Sequence, residues 1–249
     1  MWGVHIADGQ LDRLACLAGW MVGSMLLLLA LRKTNPDSVP RIAVLAAVFF
    51  IASLLHVPTF FGTKTHLLLT GLLGILLGWR SIVAVACGLS LQAILLSHGG
   101  VFSFGINLLV MGLPALGSGI FFQRMLSAKS LPASNPGNAF LQRVAFACGF
   151  GSVTLVVIFY AAALWVGGVA DWRPQIAATC LIHIPLAFLE GFICAGVVAF
   201  QSKVAPESLS FGESSMRDHQ ETETAKNVVI KPPVEANQIA SPPTAPDQP

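Results

Sequence analysis

Histidines give this sequence its clearest chemical signal. Five of the six lie in or beside long apolar runs, whereas His219 lies in a polar stretch. A single histidine beside such a run is usually a polar helix end, but neutral imidazole is also the commonest protein ligand for transition metals. Five together favour a metal site, and they are His5, His56, His66, His98 and His183.

The other residue types narrow the kind of metal site. The five cysteines all fall inside apolar runs and form no CxxC pair, so we interpret them as small packing residues rather than zinc ligands. No cluster of carboxylates accompanies the histidines, which disfavours a calcium site. Imidazole together with other nitrogen ligands suits nickel, cobalt, copper or zinc.

The composition indicates which elements must position these histidines. Of the 249 residues, 55% are hydrophobic and 10% are charged, and the mean hydropathy is +0.74. Soluble domains carry about 25% charged residues, so the sequence predicts an all-α polytopic membrane protein. A membrane-spanning helix needs about 20 residues. About seven transmembrane helices are expected, of which the third is short: 11–31, 41–58, 66–79, 81–98, 105–123, 143–168 and 176–201.

The basic residues predict the orientation of these helices. Cytoplasmic loops of membrane proteins carry an excess of lysine and arginine. Eight basic residues lie on one side of the predicted helices, and the other side holds three, which are Arg13, Lys64 and Arg173. The N-terminus is therefore expected outside and the C-terminus in the cytoplasm, in a multi-pass protein of the bacterial inner membrane. In this orientation the five histidines all lie in the outer half.

The chain divides into three predicted regions. Residues 1–10 form an outward N-terminal segment that carries a candidate metal ligand, and residues 11–201 form the transmembrane helical domain. Residues 202–249 hold seven of the 12 acidic residues and are rich in Pro, Ser, Thr and Glu, which predicts a disordered cytoplasmic tail. The start of the chain lacks positive charge, so no cleavable targeting segment is expected.

Other polar residues are predicted at membrane depth. Glu190 is the one acidic residue well inside an apolar segment, and it follows His183 by seven residues, so both point to one helix face. An intramembrane carboxyl group is either a functional residue or a brace between helices, and the sequence leaves both open. Gln92 and Asn107 are positioned to hydrogen-bond helices or to orient the histidines.

Alternative functions are weighed on the same residues. An ion-coupled secondary transporter built around Glu190 is the main alternative, although the sequence shows no convincing internal repeat. An intramembrane serine protease is disfavoured, because Ser118 is expected near the inner end of its helix and His183 in the outer half. A metal sensor would need a signalling module, and the tail contains no recognisable one. The sequence lacks the GxxxxGK[ST] motif, so ATP must be handled by a partner.

Five stretches, taken together, resemble the CbiM/NikM family of cobalt- or nickel-binding S components of energy-coupling factor (ECF) transporters. They are HIADG at 5–9, ASLLHVP at 52–58, THLLLTGLLGILLGW at 65–79, LQAILLSHGGVFSFGINLLVMGLPAL at 91–116 and HIPLAFLEG at 183–191. The resemblance implies a non-enzymatic transport subunit that captures Ni²⁺ or Co²⁺ as cargo and needs no cofactor. It also implies a transmembrane coupling subunit, ABC-type ATPase subunits and in some cases a small accessory membrane subunit as partners, with no nucleic acid.

The resemblance further implies a ligand set. Family members bind nickel through the terminal amine, the backbone nitrogen and imidazole of the histidine at position 2, and a histidine at the start of the third helix. Those imidazoles correspond to His5 and His66 here, and the supporting residues are His56, His98, Asn107, His183 and Glu190. Four residues precede His5, unlike in the family. We hypothesise that translation naturally starts at Val4, read as Met.

Overall fold

Seven α-helices lie in the part of the chain that the structure describes, and each overlaps one of the seven predicted segments. The computed structural model describes residues 4–58, 64–128 and 139–209. Six helical stretches in these ranges are long enough and apolar enough to cross a membrane. The predicted class, an all-α polytopic membrane protein, is confirmed. The helices are α1 (Arg13–Arg32), α2 (Val39–Leu54), α3 (Thr70–Leu77), α4 (Ser81–Leu96), α5 (Phe104–Ala128), α6 (Ala139–Gly167) and α7 (Arg173–Val204).

The third and fourth helices reverse direction between them. A straight helix over the 27 residues from Thr70 to Leu96 would be about 40 Å long. The rings of His66 and His98, which flank this stretch, have centroids only 6.0 Å apart. The reversal occurs at Gly78, whose φ of 56° and ψ of −125° interrupt the helix. α3 and α4 are therefore antiparallel neighbours, and α3 is much shorter than a membrane span.

Glycines let the helices approach closely. A Cβ at Gly23 of α1 would lie 2.9 Å from the Gly105 carbonyl oxygen of α5. A Cβ at Gly74 of α3 would overlap the Ala115 carbonyl oxygen and the Ser118 hydroxyl of α5. These contacts place α5 against both α1 and α3. Only 17% of the most apolar 18-residue stretch of α1 is buried, whereas 72% of the corresponding stretch of α3–α4 is buried. α1 is therefore peripheral and α3–α4 is central.

Two short strands were not predicted from the sequence. β1 (His56–Pro58) pairs antiparallel with β2 (Lys64–His66), and His56 faces His66 in the register. The sequence predicts that a helix continues to Pro58 and that the next begins at His66. Instead, α2 ends at Leu54, and His66 lies four residues before α3. His66 is thus held by a strand rather than by a helix start.

The ordered chain continues past the last apolar segment. After α7, residues Pro206–Leu209 form a 3₁₀ turn. Gln123 donates a hydrogen bond to the Leu209 carbonyl oxygen (2.7 Å), Arg41 donates to that of Ser208 (2.6 Å), and Leu209 is buried. The predicted tail therefore begins as an ordered segment at 202–209. The rest of it, 210–249, lies outside the described residues, and its disorder stays a prediction.

Candidate metal-binding site

Three imidazole rings meet where the N-terminal segment contacts the ends of the α3–α4 pair. The ring centroids of His5 and His66 are 5.1 Å apart, and those of His5 and His98 are 5.6 Å apart. His66 and His98 complete the triangle at 6.0 Å. The structure therefore brings together three histidines from three separate sequence regions.

His5 is 9% exposed, and neither of its ring nitrogens has a hydrogen-bond partner among the residues that the structure describes. Burial lowers the pKa of His5 well below 6.5, and the neighbouring His66, His98 and His183 lower it further. The ring is therefore neutral at physiological pH. A buried polar group without a partner is unfavourable, and neutral imidazole is the form that binds metals.

His66 is oriented as metal-binding histidines commonly are. Its Nδ1 lies 3.0 Å from the Leu67 carbonyl oxygen. A carbonyl oxygen can only accept, so Nδ1 carries the proton and Nε2 keeps its lone pair. Metal-ligating histidines typically donate their other N–H to a carbonyl or carboxylate in this way. Burial lowers the pKa of His66 to about 4, so this ring is also neutral.

The backbone next to His5 is fixed by α5. The side-chain oxygen of Asn107 accepts a hydrogen bond from the Ile6 N–H (2.9 Å), and its NH₂ donates to the Ile6 carbonyl oxygen (2.9 Å). The Ser103 hydroxyl donates to the same carbonyl oxygen (2.7 Å). Because both Ile6 backbone groups are bound, the position of the adjacent His5 is fixed. Asn107 thus binds the backbone of the residue directly after His5.

Asp8 is a second anchor, which sequence reasoning missed. Its carboxylate accepts hydrogen bonds from the backbone N–H groups of Val101 and Ser103, both at 2.9 Å, and from the Ser103 hydroxyl at 3.1 Å. Burial alone would raise the pKa of Asp8, but these hydrogen bonds lower it below its usual value. A Cβ at Gly100 would overlap the Asp8 carboxylate. The Gly-Gly after His98 therefore allows the loop to close over the N-terminal segment.

The signal for Asp8 lay within the HIADG stretch. A turn follows it, since Gly9 has a φ of +88° and the Gln10 side chain accepts a hydrogen bond from the Ala7 N–H (2.8 Å). Asp12 then caps α1 by accepting from the Ala15 N–H (2.7 Å). An aspartate directly before an apolar helix is a recognised start signal. The HIADG stretch therefore anchors the N-terminal segment, and the cap of α1 follows it at Asp12.

α7 holds the chain on both sides of His66. Glu190 is 0% exposed, and its carboxyl oxygens accept hydrogen bonds from the backbone N–H groups of Leu68 and Leu69. About two helical turns before Glu190, His183 donates from Nδ1 to the Thr179 carbonyl oxygen (2.8 Å) and places Nε2 3.4 Å from the Thr65 hydroxyl. The two residues share a helix face, as their seven-residue spacing predicts.

His56 differs from the other site histidines. It is exposed, and it lies directly opposite His66 across the antiparallel strands, so both side chains project from the same face of the pair. Its Nδ1 lies 2.9 Å from the Leu54 carbonyl oxygen, which leaves Nε2 free. His56 therefore combines an exposed ring with a position directly across from the buried His66.

Side chains alone do not complete a metal site in the described ranges. Within residues 4–58, 64–128 and 139–209, no three His, Cys, Asp or Glu side chains form a group that could hold a metal ion. The ligand set implied by the family resemblance contains two imidazoles, a backbone nitrogen and an amine. Residues 1–3 lie outside the described part of the chain, whereas Val4, which precedes His5, is buried.

The protease alternative finds no support in the geometry. The Ser118 hydroxyl donates to the carbonyl oxygens of Ala115 (2.8 Å) and Gly71 (3.2 Å). The contacts of His183 are with Thr179 and Thr65. The serine is therefore hydrogen-bonded as a helix-packing residue and not to a base.

Known proteins resemble this chain in sequence. Residues 5–208 match the CbiM family, described as the cobalt uptake substrate-specific transmembrane region. The cobalt transport protein CbiM of Sorangium cellulosum is 29% identical over 221 residues, which cover 83% of this chain and 94% of that protein. The fused nickel transport protein NikMN of Rhodobacter capsulatus is 25% identical over 225 residues, covering 83% of this chain and 64% of that protein.

A crystal structure of a transition metal transporter has the same fold. It superposes with a TM-score of 0.65 at 22% sequence identity, covering 80% of this chain and 93% of that one. The multi-pass membrane character and the family resemblance noted in the sequence are confirmed. With most of its length matched by a single family, the chain belongs to CbiM, the cobalt uptake substrate-specific transmembrane family.

Proposed function

We propose that this chain is the metal-capturing membrane component of an uptake system for Ni²⁺ or Co²⁺. The observation that carries the proposal is the buried, unpartnered imidazole of His5 in ring contact with His66 and His98. A buried, neutral imidazole without a hydrogen bond is unfavourable unless something else binds it. A divalent transition metal supplies that bond.

His5 and His66 are the proposed side-chain ligands. Their ring centroids are 5.1 Å apart, and the second nitrogen of His66 is oriented by a carbonyl oxygen. Asn107 and Glu190 position the backbones beside the two rings. A planar set of nitrogen ligands suits Ni²⁺ better than Zn²⁺, because Zn²⁺ prefers tetrahedral coordination. Relatives named for cobalt and for nickel transport support both metals as cargo.

We further propose an ECF-type assembly with this N-terminal site outside the cell. The histidine cluster and the basic residues lie at opposite ends of α4, a helix of 16 residues that spans about 24 Å. An excess of basic residues marks the cytoplasmic side. Energy must come from partner ATPases, because the chain has no phosphate-binding motif of its own. The relative NikMN is a fused protein, which supports the proposal that this chain acts together with further subunits.

Metal titration of the purified chain tests the capture site. We expect the wild type to bind one Ni²⁺ or Co²⁺ and the His5→Ala and His66→Ala variants to lose binding by at least tenfold. Gln201→Ala, in the last turns of α7, is the matched control. Wild-type affinity in both histidine variants would contradict the proposed ligands.

A second arm separates the amine ligand from the imidazoles. The same titration is made on the chain as written and on a chain in which Met replaces Val4 as the first residue. Tight binding by the short form alone would identify the terminal amine as a ligand, and equal binding would exclude that role. Metal uptake by proteoliposomes that contain this chain alone, driven by a proton gradient, would instead support the ion-coupled alternative.

A further inference from the structure

A cavity of about 360 Å³ lies at the end of the protein remote from the histidines. It is lined by the end of α1, the reversal between α3 and α4, and the later turns of α5. Three of its lining residues are basic, namely Lys33, Arg80 and Arg124. α4 separates Arg80 from His98 by about 24 Å. The cavity is therefore distinct from the metal-binding site.

The helix reversal builds this cavity. Gly78, in its non-helical conformation, begins a 3₁₀ turn that presents Trp79 and Arg80. A Cβ at Gly119 of α5 would overlap the Gly74 carbonyl oxygen and lie 3.2 Å from the Gly78 Cα. α5 therefore approaches the reversal closely, and its next turn carries Arg124 toward the same space.

Among the described residues, no carboxylate forms an ion pair with the cationic groups of the cavity. Lys33 Nζ lies 3.8 Å from the centroid of the Trp79 ring, a cation–π contact. Arg80 makes two long contacts, to the Lys33 carbonyl oxygen at 3.4 Å and to the Asn35 side-chain oxygen at 3.5 Å. In the part of the chain that the structure describes, the ion pair found is Arg173–Asp171, which involves none of these residues.

Three like charges around one cavity favour an anionic ligand. Arginine and lysine bind phosphate oxygens through charge-assisted hydrogen bonds. Basic pockets between transmembrane helices are the sites at which anionic headgroups bind, and tryptophan is enriched at headgroup level. The remaining lining includes Leu77 and Ile120, so the cavity offers apolar surface as well as charge. A soluble anion needs the charge alone, whereas a phospholipid uses both.

We propose that this cavity binds the phosphate of an anionic phospholipid from the adjacent leaflet. Arg80 and Lys33 contact the phosphate oxygens, and the glycerol backbone and upper acyl chain lie against Trp79 and Ile120. The lipid neutralises charges that otherwise repel one another across the turn between α3 and α4. It thereby stabilises the reversal on which the far end of the bundle depends.

Native mass spectrometry of the full-length protein in detergent tests the proposal. The lipids are dioleoylphosphatidylglycerol and dioleoylphosphatidylcholine, and the variants are Arg80→Gln, Lys33→Gln and Arg124→Gln. Arg32→Gln is the matched control, because it removes a charge from the same end of α1 but lies outside the cavity. We expect one tightly bound phosphatidylglycerol and an affinity about fivefold weaker for each cavity variant, from about 1 kcal/mol per cation near a membrane surface.

Three results would overturn the proposal. Equal binding of the two lipids would show that the headgroup charge is not recognised. An effect of Arg32→Gln as large as that of Arg80→Gln would show a diffuse attraction rather than a site. Equal thermal protection by inorganic phosphate alone would assign the cavity to a soluble anion. The Ni²⁺ affinity of each variant is measured alongside as a check that the variant is folded. Arg80→Lys retains the charge and should restore lipid binding.

A fourth result would assign the cavity to a protein instead. If wild-type protein shows no preference for phosphatidylglycerol while Arg80→Gln prevents co-purification of a membrane partner, the cavity is a docking surface. The lipid proposal does not rest on the proposed cargo, since the metal titration and the lipid measurement use different residues and different probes.

Discussion

Both side-chain oxygens of Glu190 in α7 accept a hydrogen bond from the backbone N–H of Leu69, each at 3.0 Å and across 121 positions of the sequence. Leu69 has a φ of 50°, a left-handed conformation that costs a residue with a side chain about 1–2 kcal/mol. Glu190 therefore stabilises a strained turn that lies three residues after His66. The intramembrane carboxyl group thus braces the segment that carries His66.

Replacing Glu190 by Gln should weaken metal binding. The Gln oxygen can replace Oε1, which accepts from both Leu68 and Leu69, but the Gln NH₂ group would face the Leu69 N–H in place of Oε2. A buried donor is then left without an acceptor, at a cost of about 1–3 kcal/mol. We expect a lower thermal midpoint and an Ni²⁺ affinity reduced by about tenfold, measured by calorimetry. Leu189→Gln adds an amide to the neighbouring exposed position and serves as the control. Unchanged affinity with abolished uptake would instead favour subunit docking or ion coupling by Glu190.

Replacing Asn107 by Asp should release the N-terminal segment. Asp keeps an acceptor for the Ile6 N–H but sets an oxygen against the Ile6 carbonyl, where Asn107 donates a 2.9 Å hydrogen bond. Changes to residues that orient a metal ligand typically cost about 10- to 100-fold in affinity. Ser103→Ala removes the contacts of one hydroxyl with the Ile6 carbonyl oxygen and the Asp8 carboxylate but places no repulsive oxygen there, and it should cost less. Equal effects of the two changes would show that the paired contact of Asn107 has no special role.

Replacing His5 by Leu should stabilise the metal-free protein while removing its function. Burying two unpartnered ring nitrogens costs about 1–3 kcal/mol, and Leu removes that cost. His183→Leu is the matched control. Both ring nitrogens of His183 have hydrogen-bond partners, Thr179 and Thr65, so this change should be destabilising. We expect the thermal midpoints to move in opposite directions. A destabilised His5→Leu variant would indicate that His5 serves packing rather than metal binding.

The stability of the metal-free protein should fall as the pH falls from about 6.5 toward 4. Burial lowers the pKa of His66 to about 4 and that of His5 well below 6.5. In this window the unfolded chain binds protons that the folded chain does not bind, so protonation favours unfolding. Thermal midpoints recorded across this range test the prediction. The double variant His5→Leu/His66→Leu should flatten the curve, and an unchanged slope would assign the effect to other groups.

Replacing Gly74 by Ala should disrupt the packing of α3 on α5. The new Cβ would overlap the Ala115 carbonyl oxygen, which belongs to a helix backbone and cannot move aside cheaply. We expect a loss of about 1–3 kcal/mol, the usual cost of overpacking. Gly117→Ala is the matched control, because a Cβ there meets nothing within 4 Å. Similar thermal midpoints for the two variants would show that this contact tolerates a larger separation of the helices.

The helices were predictable because apolar run length is a local property. Arg80 interrupts the apolar sequence between α3 and α4, and this break allowed two helices to be predicted there. The strands β1 and β2 were missed because three residues each fall within the uncertainty of a helix end. Their cross-strand pair His56–His66 is a relationship that no local pattern encodes.

The residue types of the site could be predicted from the sequence, but the hydrogen bonds that position those residues could not. His5 and His66 could be named because they match a family pattern, and Asn107 because it is polar in an apolar run. The hydrogen bonds of Asn107 to Ile6 span 101 positions, and a pairing at that separation leaves no trace in periodicity. For the same reason the sequence could not show that Glu190 accepts hydrogen bonds from Leu69, 121 positions away, and its role in transport stays a prediction.

The shortness of α3 has a consequence for biosynthesis. All eight of its residues are buried against other helices, and about 12 Å of helix is far less than the roughly 30 Å of hydrocarbon in a bilayer. As the chain leaves the ribosome, α3 therefore lacks the length to be recognised and retained as an independent span. It must enter the membrane as one hairpin with α4, so the wall of the site between His66 and His98 is assembled in a single insertion event.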